Sequence, residues 1–85
     1  MTTLEILIQC HGATPTLSLE EAGRYWNYTG DTLMRKIDAG AIRLPYFRLD
    51  EDSQKSAKLV HIHDLAALID ARRAAAAEDF QKLWG

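Results

Sequence analysis

The chain has 85 residues, of which 47% are hydrophobic and 26% charged, with a formal net charge of -2 and a single cysteine. That length suits one domain with a small core, the composition is that of a chain that folds, and one thiol excludes an intrachain disulfide framework. No apolar run approaches the roughly 18 residues of a membrane span, Met1–Cys10 lacks a basic flank and a cleavage site, and the slight acidity excludes binding of nucleic acid by bulk charge alone.

Leu4, Leu7, Ile8 and His11 recur at the spacing of one helical face, and Gly12 supplies the stop, so a short first helix is expected. Thr14-Pro15-Thr16-Leu17 reads as an extended lead-in. Ser18 and Glu21 then have capping-box spacing, with Leu17 and Ala22 placed as a hydrophobic staple. The second helix carries Leu19, Ala22, Gly23 and Trp26 on its apolar face and leaves Glu20, Glu21 and Arg24 to solvent. Asn27-Tyr28 is a tight break, after which Thr29 caps a third helix and Gly40 closes it. At 100° per residue Leu33, Met34 and Ile37 share one side of this helix, while Thr32, Arg35, Lys36 and Ala39 share the other.

After Gly40 the period changes to two. Phe47 and Leu49 alternate with Tyr46 and Arg48, following Pro45, as a strand does. A polar stretch from Asp50 to Lys58 leads to Leu59-Val60-His61-Ile62, where Val60 and Ile62 share a face, so the two runs read as a hairpin with a long polar tip. A last helix is expected over residues 64–84, with Leu65, Leu68 and Ile69 as its first apolar patch and Phe80, Leu83 and Trp84 as its last. The single domain, residues 1–85, is therefore α+β and mainly helical: a winged helix-turn-helix of excisionase or MerR-like build, with a two-stranded wing and a long C-terminal helix.

Charge distribution fits that order. Between Arg35 and Lys58 the net charge is +2, against -4 for the rest of the chain. In a winged helix-turn-helix the second helix of the pair enters the major groove and the hairpin tip reaches the flanking backbone. The reading helix would be residues 30–39, with Arg35 long enough for a bidentate contact to guanine and Lys36 and Thr32 beside it. The amides around Gly30 and Asp31 could hold a phosphate, in competition with Asp31 itself. Residues 50–58 would form the wing, with Ser53, Gln54, Lys55, Ser56 and Lys58 as phosphate contacts, and Arg43 and Arg48 add cations to the same middle stretch.

The segments Gly40-Ala41-Ile42-Arg43-Leu44-Pro45, Ser53-Gln54-Lys55-Ser56-Ala57-Lys58, Asp64-Leu65 and Ile69 through Ala76 resemble the pyocin activator family, the PrtN-like transcription activators of bacteria. The likeness spans about residues 33–76. It implies binding to promoter DNA and activation of phage-tail-like bacteriocin or prophage-related genes, in a bacterial cytoplasm and on the nucleoid when bound. The family's wing motif is carried onto Ser53, Gln54, Lys55, Ser56 and Lys58 alone, and the acidic run Asp50-Glu51-Asp52 before it opposes phosphate.

Competing readings remain. Two cations on a helix face are by themselves an ordinary solvated face, and it is the element order and the resemblance that turn them toward DNA. Tyr25, Trp26 and Tyr28 could stack bases, but Trp26 is assigned to the core. Cys10, His11, His61 and His63 have ligand atoms without zinc-finger spacing, so no metal or cofactor is expected. No nucleophile with an oriented base is visible, and an enzyme is not expected. The alternatives are an excisionase-like architectural factor using the same surface, and a protein adaptor acting through the C-terminal helix. Partners on the first reading are double-stranded promoter DNA, a second copy of the chain through that helix, and RNA polymerase, with no membrane. The Phe80, Leu83 and Trp84 patch either folds back on the first helix or meets that second copy.

Overall fold

Side-chain caps fix where the helices begin. In the computed structural model, which describes residues 1–50, Asp52 and residues 57–85, Thr2 and Glu5 form a reciprocal capping box that opens α1 (Thr3–His11), and Gly12 ends it at φ 82. A short strand, β1 (Thr16–Ser18), leads directly into α2 (Leu19–Gly23). Ser18 Oγ accepts from the Glu21 amide at 3.1 Å, and its hydroxyl donates to the Glu21 carboxylate at 3.2 Å, so the carboxylate answers the hydroxyl where a full capping box would answer the backbone. A 3-10 turn, Arg24–Trp26, extends α2, and Asn27 at φ 60 breaks it. Thr29 then caps α3 (Gly30–Asp38) by accepting from the Thr32 amide.

Gly40, at φ 79, closes α3 as the sequence predicts. Its amide donates to the Ile37 carbonyl, and the Ala41 amide reaches back to the Lys36 carbonyl. This pair of bonds is a Schellman motif, and its left-handed residue takes no side chain without strain.

Two strands and one long helix complete the described chain: β2 (Phe47–Arg48), β3 (Lys58–His61) and α4 (Ile62–Trp84). The sheet is antiparallel in the order β1-β3-β2, with Leu17 opposite Val60 and Arg48 opposite Lys58. The expected two-stranded hairpin is thus a three-stranded sheet, because Thr16–Ser18 pairs along the free edge of β3. Ile62 belongs to α4 and not to the strand. The His61 ring nitrogen accepts from the His63 amide as a cap, which starts the helix two residues before residue 64.

Leu17, Leu19, Ala22, Leu33, Leu44, Val60, Ile62 and Leu65 meet in one core between the sheet and the helices, joined by Leu7 of α1 and Ala66 of α4. Trp26, Met34 and Ile37 pack against it. Each large aliphatic chain so enclosed contributes roughly 1.5–3 kcal/mol. Leu49 is an exception to the expected alternation. It is 79% exposed, because β2 ends at Arg48 and the sheet face ends with it. α1 lies along the first half of α4, where Thr3 Oγ1 donates to the Asp70 carboxylate. The second half of α4 runs past the body in solvent, so the terminal aromatic patch does not fold back on α1. No helix among the described residues is long and apolar enough to cross a membrane.

Candidate nucleic-acid interface

The position of α3 is set by two close approaches to α2. A Cβ on Gly23 would stand 2.7 Å from the Tyr28 carbonyl oxygen, and one on Gly30 would stand 2.9 Å from the Glu20 carboxylate. Bare backbone at both points lets the break at residues 27–29 stay short. The Tyr28 amide donates to the Gly23 carbonyl at 2.9 Å, which ties the turn to the end of α2.

With α3 held this way, its two sides separate as the periodicity predicts. Leu33 is fully buried, with Met34 and Ile37 half-buried beside it, whereas Arg35, Lys36 and Ala39 are exposed. Lys36 leans on Tyr28, its ammonium 5.8 Å from the ring centroid. A cation over an aromatic face is attracted by the ring quadrupole, so this contact orients the lysine along one flank of the outward surface. Thr32 is half-buried, and its hydroxyl accepts from the Thr29 hydroxyl at 3.0 Å, which places it in the cap as well as beside Arg35.

The other flank of α3 meets the sheet. Lys58 Nζ lies against the Met34 sulfur and 5.9 Å from the Tyr46 ring centroid. Lys58 is therefore folded back onto α3, not projected at a hairpin tip. Tyr46 donates to the Asp38 carboxylate at 2.8 Å. That hydrogen bond raises the phenol pKa above its ordinary value, with slight burial and the Asp38 charge adding to it and Arg48 opposing. The bond ties the Tyr46 hydroxyl to the last turn of α3.

Arg48 is half-buried on β2 opposite Lys58, and its Nε is enclosed with no hydrogen-bond partner among the described residues. Arg43 lies elsewhere. It lines a groove with Trp26, Ile42, Leu68 and Arg72, facing α4. Of the cations in the middle of the chain, then, the structure gathers Arg35 and Lys36 on α3 and Lys58 and Arg48 on its sheet flank, and sends Arg43 to α4. Ser53, Gln54, Lys55 and Ser56 lie outside the described residues.

The mouth of α3 differs from the expectation of a phosphate site. The Gly30 amide donates to Glu20 Oε2 at 3.2 Å, so a carboxylate of α2 already occupies the positive end of the helix. Glu20 is not the plain solvated charge that helix periodicity makes it. The contact crosses ten residues of sequence and leaves no local signal. Tyr46 is likewise missed by sequence reasoning, which weighs Tyr28 only as a base-stacking aromatic, although an aromatic at each flank of a cationic helix is a pattern that could have been sought.

Histidines and the cysteine are dispersed. Cys10 is exposed on α1, His11 bonds the Tyr25 hydroxyl at 2.6 Å, and the His61 and His63 rings meet edge to face at 5.2 Å. Burial, with Cys10 adding to it, raises the Tyr25 phenol above its ordinary value. No group of three His, Cys, Asp or Glu residues suited to a metal ion occurs among the described residues.

Neither a curated protein nor a solved structure matches the chain. The model of the family described as pyocin activator protein PrtN matches residues 3–76, which takes in α1, the α2–α3 pair, the sheet and about two thirds of α4. With the match spanning every element of the body, the chain belongs to the PrtN pyocin activator family.

Proposed function

We propose that the chain is a sequence-specific double-stranded DNA-binding transcription activator of phage-tail-like bacteriocin or prophage-related genes, with α3 in the major groove. The carrying observation is the pairing of α2 and α3 across a three-residue break, with Arg35 and Lys36 exposed on α3 while Leu33 is buried in the core. A major groove about 12 Å wide admits one helix, and an exposed arginine on that helix can reach guanine O6 and N7. Membership of an activator family supports the reading independently. The helix pair, followed by antiparallel β2 and β3 and then a helix, is consistent with a winged helix-turn-helix, in which the segment joining the two strands would lie on the backbone. On this reading Lys55 is a phosphate contact, and Lys58 and Tyr46 brace α3 from the side.

The test separates base contacts from backbone contacts. Selection of bound duplexes from a random pool defines the site. Arg35→Ala then loses discrimination at one base pair by about 1–3 kcal/mol, whereas Lys55→Ala weakens all duplexes alike and lowers the salt slope by about one. Recovery of no duplex from the pool, or equal behaviour of the two variants, overturns the assignment. An architectural role without activation would show as strong bending of the site and no response from a promoter reporter.

A further inference from the structure

The apolar face of α4 does not stop where the body stops. Ile62, Leu65, Ala66 and Ile69 face the core, and at 100° per residue the same line, interrupted by Arg73, resumes through Ala76, Phe80 and Leu83, with Trp84 at its border. Phe80, Leu83 and Trp84 are 58%, 81% and 77% exposed, and the Phe80 and Trp84 rings stack at a centroid distance of 6.1 Å. Large side chains clustered on one face mark a contact surface in a way that scattered ones do not. Glu78 and Asp79 accompany them.

A complementary surface lies where α4 leaves the body. A groove of about 410 Å³ there combines Trp26, Ile42 and Leu68 with the guanidinium-bearing Arg43 and Arg72. One end of the exposed helix is thus apolar and acidic, and the other adjoins a groove that is apolar and basic. Between them lies Ala74–Ala77, whose small side chains let another helix come close.

We propose that these surfaces join two copies of this chain, through a two-fold antiparallel pairing of α4 helices centred on Ala75 and Ala76. Asp79 and Leu83 of each copy then lie over Arg72 and Leu68 in the groove of the other, on a line about 90° around the helix from Phe80. Setting Ala75 opposite Ala76 of the second copy fixes the remaining register. Arg72 faces Asp79 of the second copy, and Leu68 faces Leu83 of the second copy. Two-fold symmetry repeats each pair. From Leu68 to Leu83 a straight helix covers about 22 Å, and the same span runs the opposite way in the second copy, so no bend is needed. A parallel pairing sets Arg72 against Arg72 and Asp79 against Asp79, and it leaves both grooves uncovered. Charge therefore selects the antiparallel arrangement. The inference stands apart from the DNA-binding reading, since it uses none of the α3 surface.

Sedimentation velocity on the full chain, at tens of micromolar, tests the pairing. The wild-type chain sediments as a dimer. Arg72→Asp and Asp79→Arg, each alone, set like charges together at both symmetry-related contacts and weaken association at least about tenfold. An equimolar mixture of the two variants restores opposite charges at both contacts and returns the dimer. Circular dichroism on each variant keeps the wild-type helical signal, because both positions are exposed and outside the core. A wild-type chain that stays monomeric overturns the proposal, and so does a dimer indifferent to either reversal or a mixture that fails to pair.

Discussion

The α2–α3 pair and the second half of α4 both present a helical face to solvent, and they differ in what stands behind it. The outward side of α3 is polar and cationic and is backed by Leu33, which has no exposed area. The apolar line of the α4 tail, Phe80, Leu83 and Trp84, is backed by nothing among the described residues. The first is a surface shaped by the fold. The second is a core stripe that has outrun its core. Amphipathic spacing predicts both helices equally well, but the period of a stripe says only that something apolar must cover it, and not which molecule supplies the cover.

The largest expected effect separates these two regions with one substitution. Leu33→Ala removes atoms from a closed core and costs about 2–5 kcal/mol of unfolding free energy. Leu83→Ala, in the dilute chain, stays within about 0.5 kcal/mol of wild type, as surface changes do. Urea melts of both variants supply the comparison. A large loss from Leu83→Ala under dilution means that the tail is packed within its own chain after all.

A smaller effect tests how tightly the α2–α3 pair is closed. Gly23→Ala places a methyl 2.7 Å from the backbone oxygen of Tyr28. The obstacle is main chain and cannot swing aside as a side chain can, so the turn must open, at about 1–3 kcal/mol. Melting midpoints report the cost, and an unchanged midpoint shows the break to be more yielding than its geometry. Gly12, whose Cβ position has no neighbour within 4 Å, is the contrast. There the φ of 82 alone carries the penalty.

How much of this was legible in the sequence follows the range of each interaction. Gly12, Ser18, Thr29 and Gly40 act within a few residues, and each marks its helix end where the sequence places it. The two sides of α3 were equally plain, because one helical period decides them. β1 was not, since a three-residue strand exists through its pairing with Val60 and its neighbours, more than forty residues away. Ile62 was misplaced for a related reason. Histidine is an uncommon helix cap, so His61 did not announce the start of α4, and the alternation with Val60 extended the strand by one residue too many. On α3, the exposure of Arg35 and Lys36 was legible and the side chains packed around them were not. Tyr28, Tyr46 and Glu20 reach their positions only once the elements have packed.

Glu20 is where fold and function pull against each other, and it gives the smallest effect. Its carboxylate satisfies the Gly30 amide and complements the positive end of α3, which stabilises the helix pair by about 0.3–1 kcal/mol. The same amide is the one that a DNA phosphate would use. Glu20→Gln keeps an acceptor within reach of Gly30 and removes the charge. The helix pair should lose only the electrostatic part of the contact. Affinity should rise for every duplex alike, and the salt slope should steepen by no more than about one, because a phosphate contact carries no base information. Titration at several salt concentrations, on the selected site and on a scrambled one, measures both quantities. A gain confined to the selected site would assign Glu20 to base discrimination, and no gain at either would mean that the mouth of α3 does not face the duplex.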